Sequence, residues 1–173
     1  MTTDQKGTIA ETSIIAAAVK LGVGVLRPVN DGLRYDLVFD VDSRLIRVQC
    51  KWVLRRGAVA VVPLRSCRRT KDGYLRRPYT PEDADAIAGY CAEIDRFFWI
   101  PIQEVAGRPQ MMLRLAPSRN NQRLKINWAE DYDLDARLKS LGAVAQLGER
   151  RHGMAEARGS IPLGSTLFEA RMG

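Results

Sequence analysis

Residues 34–51, RYDLVFDVDSRLIRVQCK, decide how this chain folds. Apolar and polar residues alternate on both sides of Asp42-Ser43, as in two half-buried strands joined by a turn. A hairpin of strands 34–41 and 44–52 centred on that pair sets Asp36 opposite Gln49, and opposite residues face one side of a sheet. Lys51 follows Gln49 by two and shares that side, while Ile46, Val48, Cys50 and Trp52 line the reverse. Packing alone would not ask for three polar groups on one patch.

The residue before the hairpin's turn and those after it differ sharply in charge. The chain has 173 residues and a net charge of +7, and residues 44–77 hold 11 basic side chains against 1 acidic. The whole surplus therefore sits in one segment, centred on Arg55, Arg56, Arg65, Arg68, Arg69, Lys71, Arg76 and Arg77. A polyanion is its natural partner, because each cation that neutralises a phosphate releases condensed counterions; a solvated basic loop is the plainer alternative. The single histidine, His152, argues against catalysis by histidine pairs. Cys50, Cys67 and Cys91 match neither a zinc spacing nor a disulfide framework and are expected to be reduced and buried. No apolar run approaches the roughly 20 residues of a membrane helix, and the opening MTTDQKGT is too polar for a secretory signal. A cytoplasmic, nucleoid-associated protein without membrane contact is expected.

Upstream of the hairpin, residues 4–21 predict a helix with Ile14, Ala17, Ala18 and Leu21 on one face and Gly22 as its stop. Glu11 points along that apolar face. Its carboxylate needs a cation, a hydrogen-bond donor or access to water, since an unpaired buried charge is costly. Downstream, residues 58–64 predict a strand with Pro63 at an edge or bulge, and residues 66–78 a basic loop or hairpin tip. Thr80-Pro81-Glu82-Asp83 carries a helix-start signal, predicting a helix through Ala86, Ile87 and Tyr90 to Glu93. RFFWIPI (96–102) and QMMLRL (110–115) predict strands, and a last helix is expected from Asn127 to Leu141. The order implies an α/β fold with a mixed central sheet flanked by helices.

An aspartate and a glutamine carbonyl are hard ligands suited to Mg²⁺, and a lysine beside such an ion can orient or deprotonate water or stabilise charge on a phosphate. Phosphodiester hydrolysis is the chemistry that fits. An exposed Asp–Lys cross-strand pair beside a polar glutamine is the alternative.

At these residues the chain resembles the PD-(D/E)XK nucleases, whose pattern is a helix with an acidic residue, an Asp opening a strand, and an acid-x-Lys triplet on the next. Glu11 in KGTIAE, Asp36 in RYD and Gln49-Cys50-Lys51 follow that order. The resemblance implies a restriction-endonuclease-like core, with Glu11, Asp36, Gln49 and Lys51 catalytic and Glu11, Asp36 and Gln49 around Mg²⁺. Tyr35 stands in place of the family's proline. Gln49 replaces the usual acid, which removes one negative charge and weakens the hold on a metal unless Glu11 helps. Within the superfamily, residues 76–102 look like endonucleases encoded by group I introns in bacterial tRNA genes. That narrower resemblance spans roughly residues 5–115 and implies site-specific cleavage of double-stranded DNA at an intron-less tRNA gene by a homo-oligomer, a dimer or tetramer. A Holliday-junction-resolving nuclease shares the same residue order, and a DNA-binding module whose catalytic core has decayed would also carry Gln49.

The domain division that follows is a nuclease domain at 1–141, with its basic DNA-binding segment at 44–77, and a flexible tail at 142–173. The tail lacks periodicity. Val144–Arg150, VAQLGER, is what the D-arm of a tRNA gene encodes (GTA GCT CAG TTG GGA GAG CG), and Gly159–Pro162, GSIP, is what a T-arm encodes. Their separation matches that of the two arms, so the frame reads as running through a tRNA gene. A tail whose small and charged residues imitate this by chance is the alternative.

Overall fold

Residues 34–51 form the expected hairpin in the computed structural model, which describes residues 1–30, 32–71, 73–117 and 125–142. In chain order the elements are α1 (Thr3–Lys20), β1 (Gly24–Leu26), β2 (Leu37–Val41), β3 (Arg44–Trp52), β4 (Leu54–Arg56), β5 (Val59–Pro63), β6 (Arg65–Thr70), β7 (Gly73–Pro78), β8 (Ala86–Cys91), β9 (Arg96–Pro101), α2 (Ile102–Val105) and β10 (Gln110–Arg114). A 3₁₀ turn at Ala129–Tyr132 leads into a final helix, α3, at 134–142.

β2 and β3 pair antiparallel with Leu37 opposite Val48 and Val41 opposite Arg44, the register the alternation predicts. The turn closes in two residues, Asp42 at φ 48° and Ser43 at φ 64°. Left-handed backbone at both positions matches the right-handed twist of the strands, and an aspartate tolerates it better than most side chains.

The central sheet runs β1-β2-β3-β8-β9 and is mixed, because β3 and β8 are parallel while the other neighbours are antiparallel. A parallel pair needs a long crossover. Here the crossover is the basic segment itself, folded as β4 to β7. α1 and α3 cover one face, where Ile14, Ala18, Leu37, Phe39, Val48 and Leu138 are buried together. A second sheet, β10-β5-β4, covers the other through Val53, Val62, Leu64, Ile87, Ile100 and Leu113. Each such side chain taken fully out of water contributes about 1.5–3 kcal/mol. Gly89 on β8 is required by this packing: a Cβ there would lie 2.6 Å from Val53 Cγ2. β6 and β7 form a separate two-stranded ribbon.

Residues 86–91 correct the helix expected after Thr80. The cap chemistry is present, with the N–H of Thr80 donating to Asp83 Oδ2 (3.0 Å) and the N–H of Asp83 to the Thr80 carbonyl (2.9 Å). It closes one turn only. Arg47 donates from Nη1 to the carbonyl of Glu82 (2.8 Å) and from Nη2 to that of Pro81 (2.9 Å), acceptors that the next helical turn would have used. The N–H of Asp85 goes instead to the Arg47 carbonyl (2.9 Å), which starts the ladder. Ala86, Ile87, Ala88 and Cys91 are fully buried between two strands, so ladder partners on both sides override the local signal.

Three smaller differences have equally local causes. β5 is central in its sheet, and Pro63 is tolerated because β4 pairs only with Val59–Val61, leaving the proline's missing N–H on an open side. The last helix starts at 134, after the 3₁₀ turn, rather than at Asn127. Cys50 and Cys91 are buried free thiols as expected, but Cys67 is exposed on the ribbon. The tail sequence from 143 onward lies outside the described residues. Among the described residues no helix is long and apolar enough to cross a membrane.

Candidate functional site

Asp36 is the residue just before β2, and its N–H donates at 2.9 Å to the carbonyl of Val48, which already pairs with Leu37, so the hairpin ladder shifts by one residue there. Its side chain reaches β3 beside Gln49 and Lys51. Asp36 Oδ2 accepts the main-chain N–H of Cys50 at 2.8 Å and a hydrogen bond from Gln49 Nε2. Gln49 Nε2 also donates to the Cys50 carbonyl at 3.2 Å, which orients the amide. The structure thus brings Asp36, Gln49 and Lys51 together, with the Asp36 side chain rather than a registered strand pair making the link to β3.

Burial pushes the Asp36 carboxyl above the usual carboxylate range, and the nearby charge of Glu11 adds to it; the Cys50 N–H, the charge of Lys51 and the Gln49 amide pull the other way without cancelling it. Burial likewise lowers the Lys51 ammonium, with Asp36 opposing and Arg34 assisting. An acid and a base, both half-buried, thus have their ordinary values drawn toward one another by burial.

Glu11 meets the condition its position on α1 imposed. It forms an ion pair with Arg27, just beyond β1, and keeps 27% of its side chain exposed. Glu11, Arg27, Tyr35 and Asp36 line one cleft of about 230 Å³. Among the described residues no three His, Cys, Asp or Glu side chains converge as a ready metal cluster. The donors present still suit a hard cation: the carboxylates of Asp36 and Glu11 on one cleft, and a glutamine whose NH₂ is engaged by Asp36, leaving its carbonyl oxygen as a ligand. Arg27 supplies positive charge to Glu11 in this arrangement.

Tyr79, Arg34 and Asp83, which the sequence reading did not assign to the site, lie beside it. Lys51 Nζ donates to the hydroxyl of Tyr79 at 2.9 Å. Arg34 donates to Asp83 Oδ2 (2.9 Å), Ser66 Oγ (2.8 Å) and the Pro78 carbonyl (3.0 Å). Arg77 also reaches Asp83, at 3.4 Å. The available signals were slight: Arg34 sits two residues before Asp36, and Tyr79 is an aromatic closing a run of arginines.

Of the basic residues, Arg55 and Arg56 are exposed on β4, and Arg65, Arg76 and Arg77 are exposed on the ribbon, with Lys71 exposed at its tip. Arg68 and Arg69 lie on β6. A two-stranded ribbon of this kind is narrow enough to enter the major groove of duplex DNA.

A mixed sheet that presents an aspartate, a glutamine and a lysine on adjoining strands, beside a basic ribbon, is the core of a nuclease. The sequence model of the PD-(D/E)XK endonuclease family matches residues 1–135, and the chain belongs to that family. Among solved structures it is similar to a bacterial homing endonuclease, I-Ssp6803I, with 28% sequence identity and a TM-score of 0.64 over 88% of this chain and 99% of that one. No curated protein matches it. Endonucleases of this family generally use divalent metal ions.

Proposed function

We propose that the protein is a Mg²⁺-dependent, site-specific DNA endonuclease of homing type that cuts duplex DNA at an intron-less tRNA gene. The observation that carries this reading is the single face shared by Asp36, Gln49 and Lys51, with Glu11 on the same cleft. Likeness to a bacterial homing endonuclease and the tRNA-like reading frame from Val144 support the homing role. An intron-encoded protein acting on chromosomal DNA would work in the cytoplasm, at the nucleoid. Two cuts in one duplex favour a homo-oligomer.

In this reading Asp36, Glu11 and the carbonyl of Gln49 would hold the cation, which when bound would supply Lewis acidity and lower the pKa of a nearby water. The Lys51 ammonium would face a phosphate oxygen or the attacking water and offset the charge that grows in the transition state. Cys50 and Gln49 fix the Asp36 carboxylate through their N–H groups. Arg55, Arg56 and the ribbon arginines neutralise backbone phosphates, and some of them, as arginine does, take the O6 and N7 edges of guanine.

The test is cleavage of plasmids carrying intron-less tRNA genes in Mg²⁺, with Asp36→Ala and Lys51→Ala as controls. One site-specific double-strand break, lost in both variants and in chelator, is expected. Cutting of four-way junctions without sequence preference would make it a junction-resolving enzyme. Duplex binding with no cutting in Mg²⁺ or Mn²⁺ would leave a DNA-binding module.

A further inference from the structure

We infer that Tyr79 is a positioning residue for Lys51, and that Arg34 ties this pair to the base of the basic ribbon. The inference rests on the nuclease reading above, in which Lys51 acts beside the scissile phosphate.

Lysine carries a flexible four-carbon stem with about 2 kcal/mol of rotamer entropy, so its ammonium is useful at a reacting centre only when something holds it. Asp36 attracts Lys51 through charge, and the hydrogen-bond partner of Nζ is the Tyr79 hydroxyl at 2.9 Å. The same ammonium lies 4.8 Å from the centroid of the Tyr79 ring. The Arg34 guanidinium carbon lies 4.7 Å from that centroid. A ring only 4% exposed is thus shared by two cations, one from β3 and one from the segment that leads into Asp36.

The place of Tyr79 in the chain gives this contact its meaning. Tyr79 directly follows β7, and its N–H donates to the Leu64 carbonyl, the residue before β6. It therefore sits at the base of the ribbon. Arg34 closes the same base, bonding Ser66 on β6, the Pro78 carbonyl on β7, and Asp83. One cluster, joined by these hydrogen bonds and by the Arg34 guanidinium over the Tyr79 ring, consequently spans the strand that carries Lys51, the approach to Asp36, and both strands of the ribbon. DNA seated on the ribbon is thereby held in register with the lysine that must meet its phosphate.

The test compares wild type, Tyr79→Phe, Tyr79→Leu and Lys51→Ala in cleavage of a supercoiled plasmid carrying an intron-less tRNA gene. Affinity for a labelled duplex of the same sequence is measured in chelator, and melting temperatures are recorded. Tyr79→Phe keeps the ring and removes only the oxygen that Lys51 uses. It is expected to lower kcat by roughly tenfold, the equivalent of one hydrogen bond, with KM, duplex affinity and melting temperature near wild type. Tyr79→Leu, which also removes the ring, is expected to lower kcat further. A purely structural tyrosine would show the reverse split, with phenylalanine restoring kcat. Wild-type kcat in Tyr79→Phe, beside an inactive Lys51→Ala, would overturn this inference alone. A wild-type protein that does not cut would overturn the nuclease reading and this inference with it.

Discussion

The carboxylate of Asp36 accepts the main-chain N–H of Cys50 at 2.8 Å, so the acid that opens one strand is bonded to the strand that carries Gln49 and Lys51. That bond ties the two halves of the site together at the main chain of β3. It also helps keep a carboxylate in a half-buried place, where burial makes its charge costly.

Burial raises the Asp36 pKa in the folded protein above its unfolded value. The folded state then holds the proton more tightly, and stability falls as pH rises through the folded value. In chelator, Asp36→Asn is expected to melt higher than wild type at pH 7, with the difference vanishing toward pH 4. Thermal melts across that range check it. The same variant should lose cleavage by about a thousandfold or more, since the amide no longer offers a charged ligand.

Gln49→Glu restores the family's acidic position at a known expense. The Gln49 Nε2 hydrogen bond to Asp36 becomes a contact between two carboxylates. Without metal this should destabilise the fold by about 1–3 kcal/mol. With Mn²⁺ or Mg²⁺ the repulsion is relieved, and the metal concentration for half-maximal cleavage should fall by roughly tenfold. Melts and cleavage titrated against metal measure both arms.

Arg27 pairs with Glu11, so a metal ion that used this carboxylate would compete with the guanidinium for it. Arg27→Ala is expected to tighten Mn²⁺ binding to the DNA-free protein by several-fold, and a further Glu11→Gln change to cancel the gain. Calorimetric titration reads this directly, and an unchanged affinity in Arg27→Ala would remove Glu11 from the metal's ligands.

Asp83 and Asp85 each lend the fold stability that acid removes. Burial works against both charges, yet the guanidinium of Arg34 and the Thr80 N–H for Asp83, and Arg47 for Asp85, outweigh it and hold both carboxyls below their ordinary 3.8. Stability from these groups is fully present above the unfolded value and is lost as pH falls through the lower folded values. Unfolding should therefore set in below about pH 4. Arg47→Ala should cost about 1–2 kcal/mol at pH 7 and make the acid limb shallower, as measured by urea denaturation.

Arg65 and Arg76 are exposed on the ribbon. Each changed to Ala should reduce the slope of log affinity against log salt by about 1. Cleavage at saturating protein should stay near wild type. Filter binding from 50 to 200 mM salt is the measurement, and a variant that keeps the slope does not touch a phosphate.

Local physics made much of this protein legible before any coordinates. Strand periodicity has a period of two, so a one-residue slip at Asp42-Ser43 would have turned Val48 and Cys50 outward; burial of that face sets the register, and with it the meeting of Asp36, Gln49 and Lys51. The charge division along the chain likewise located the ribbon, because clustered arginines need water or phosphate wherever the chain goes. What tertiary structure alone decided are the choices in which a local preference competes with distant partners. Thr80–Asp83 carries a sound helix cap, but the ladder offered by β3 and β9 outweighs it and residues 86–91 become the central strand. That strand's parallel crossover brings Tyr79 and Asp83 beside Arg34 and Lys51. The cluster joins residues up to 49 positions apart in sequence, Arg34 to Asp83, and no period or spacing connects them. Glu11 needed a partner by its place on α1, and only the fold of the chain past β1 determined that the partner is Arg27.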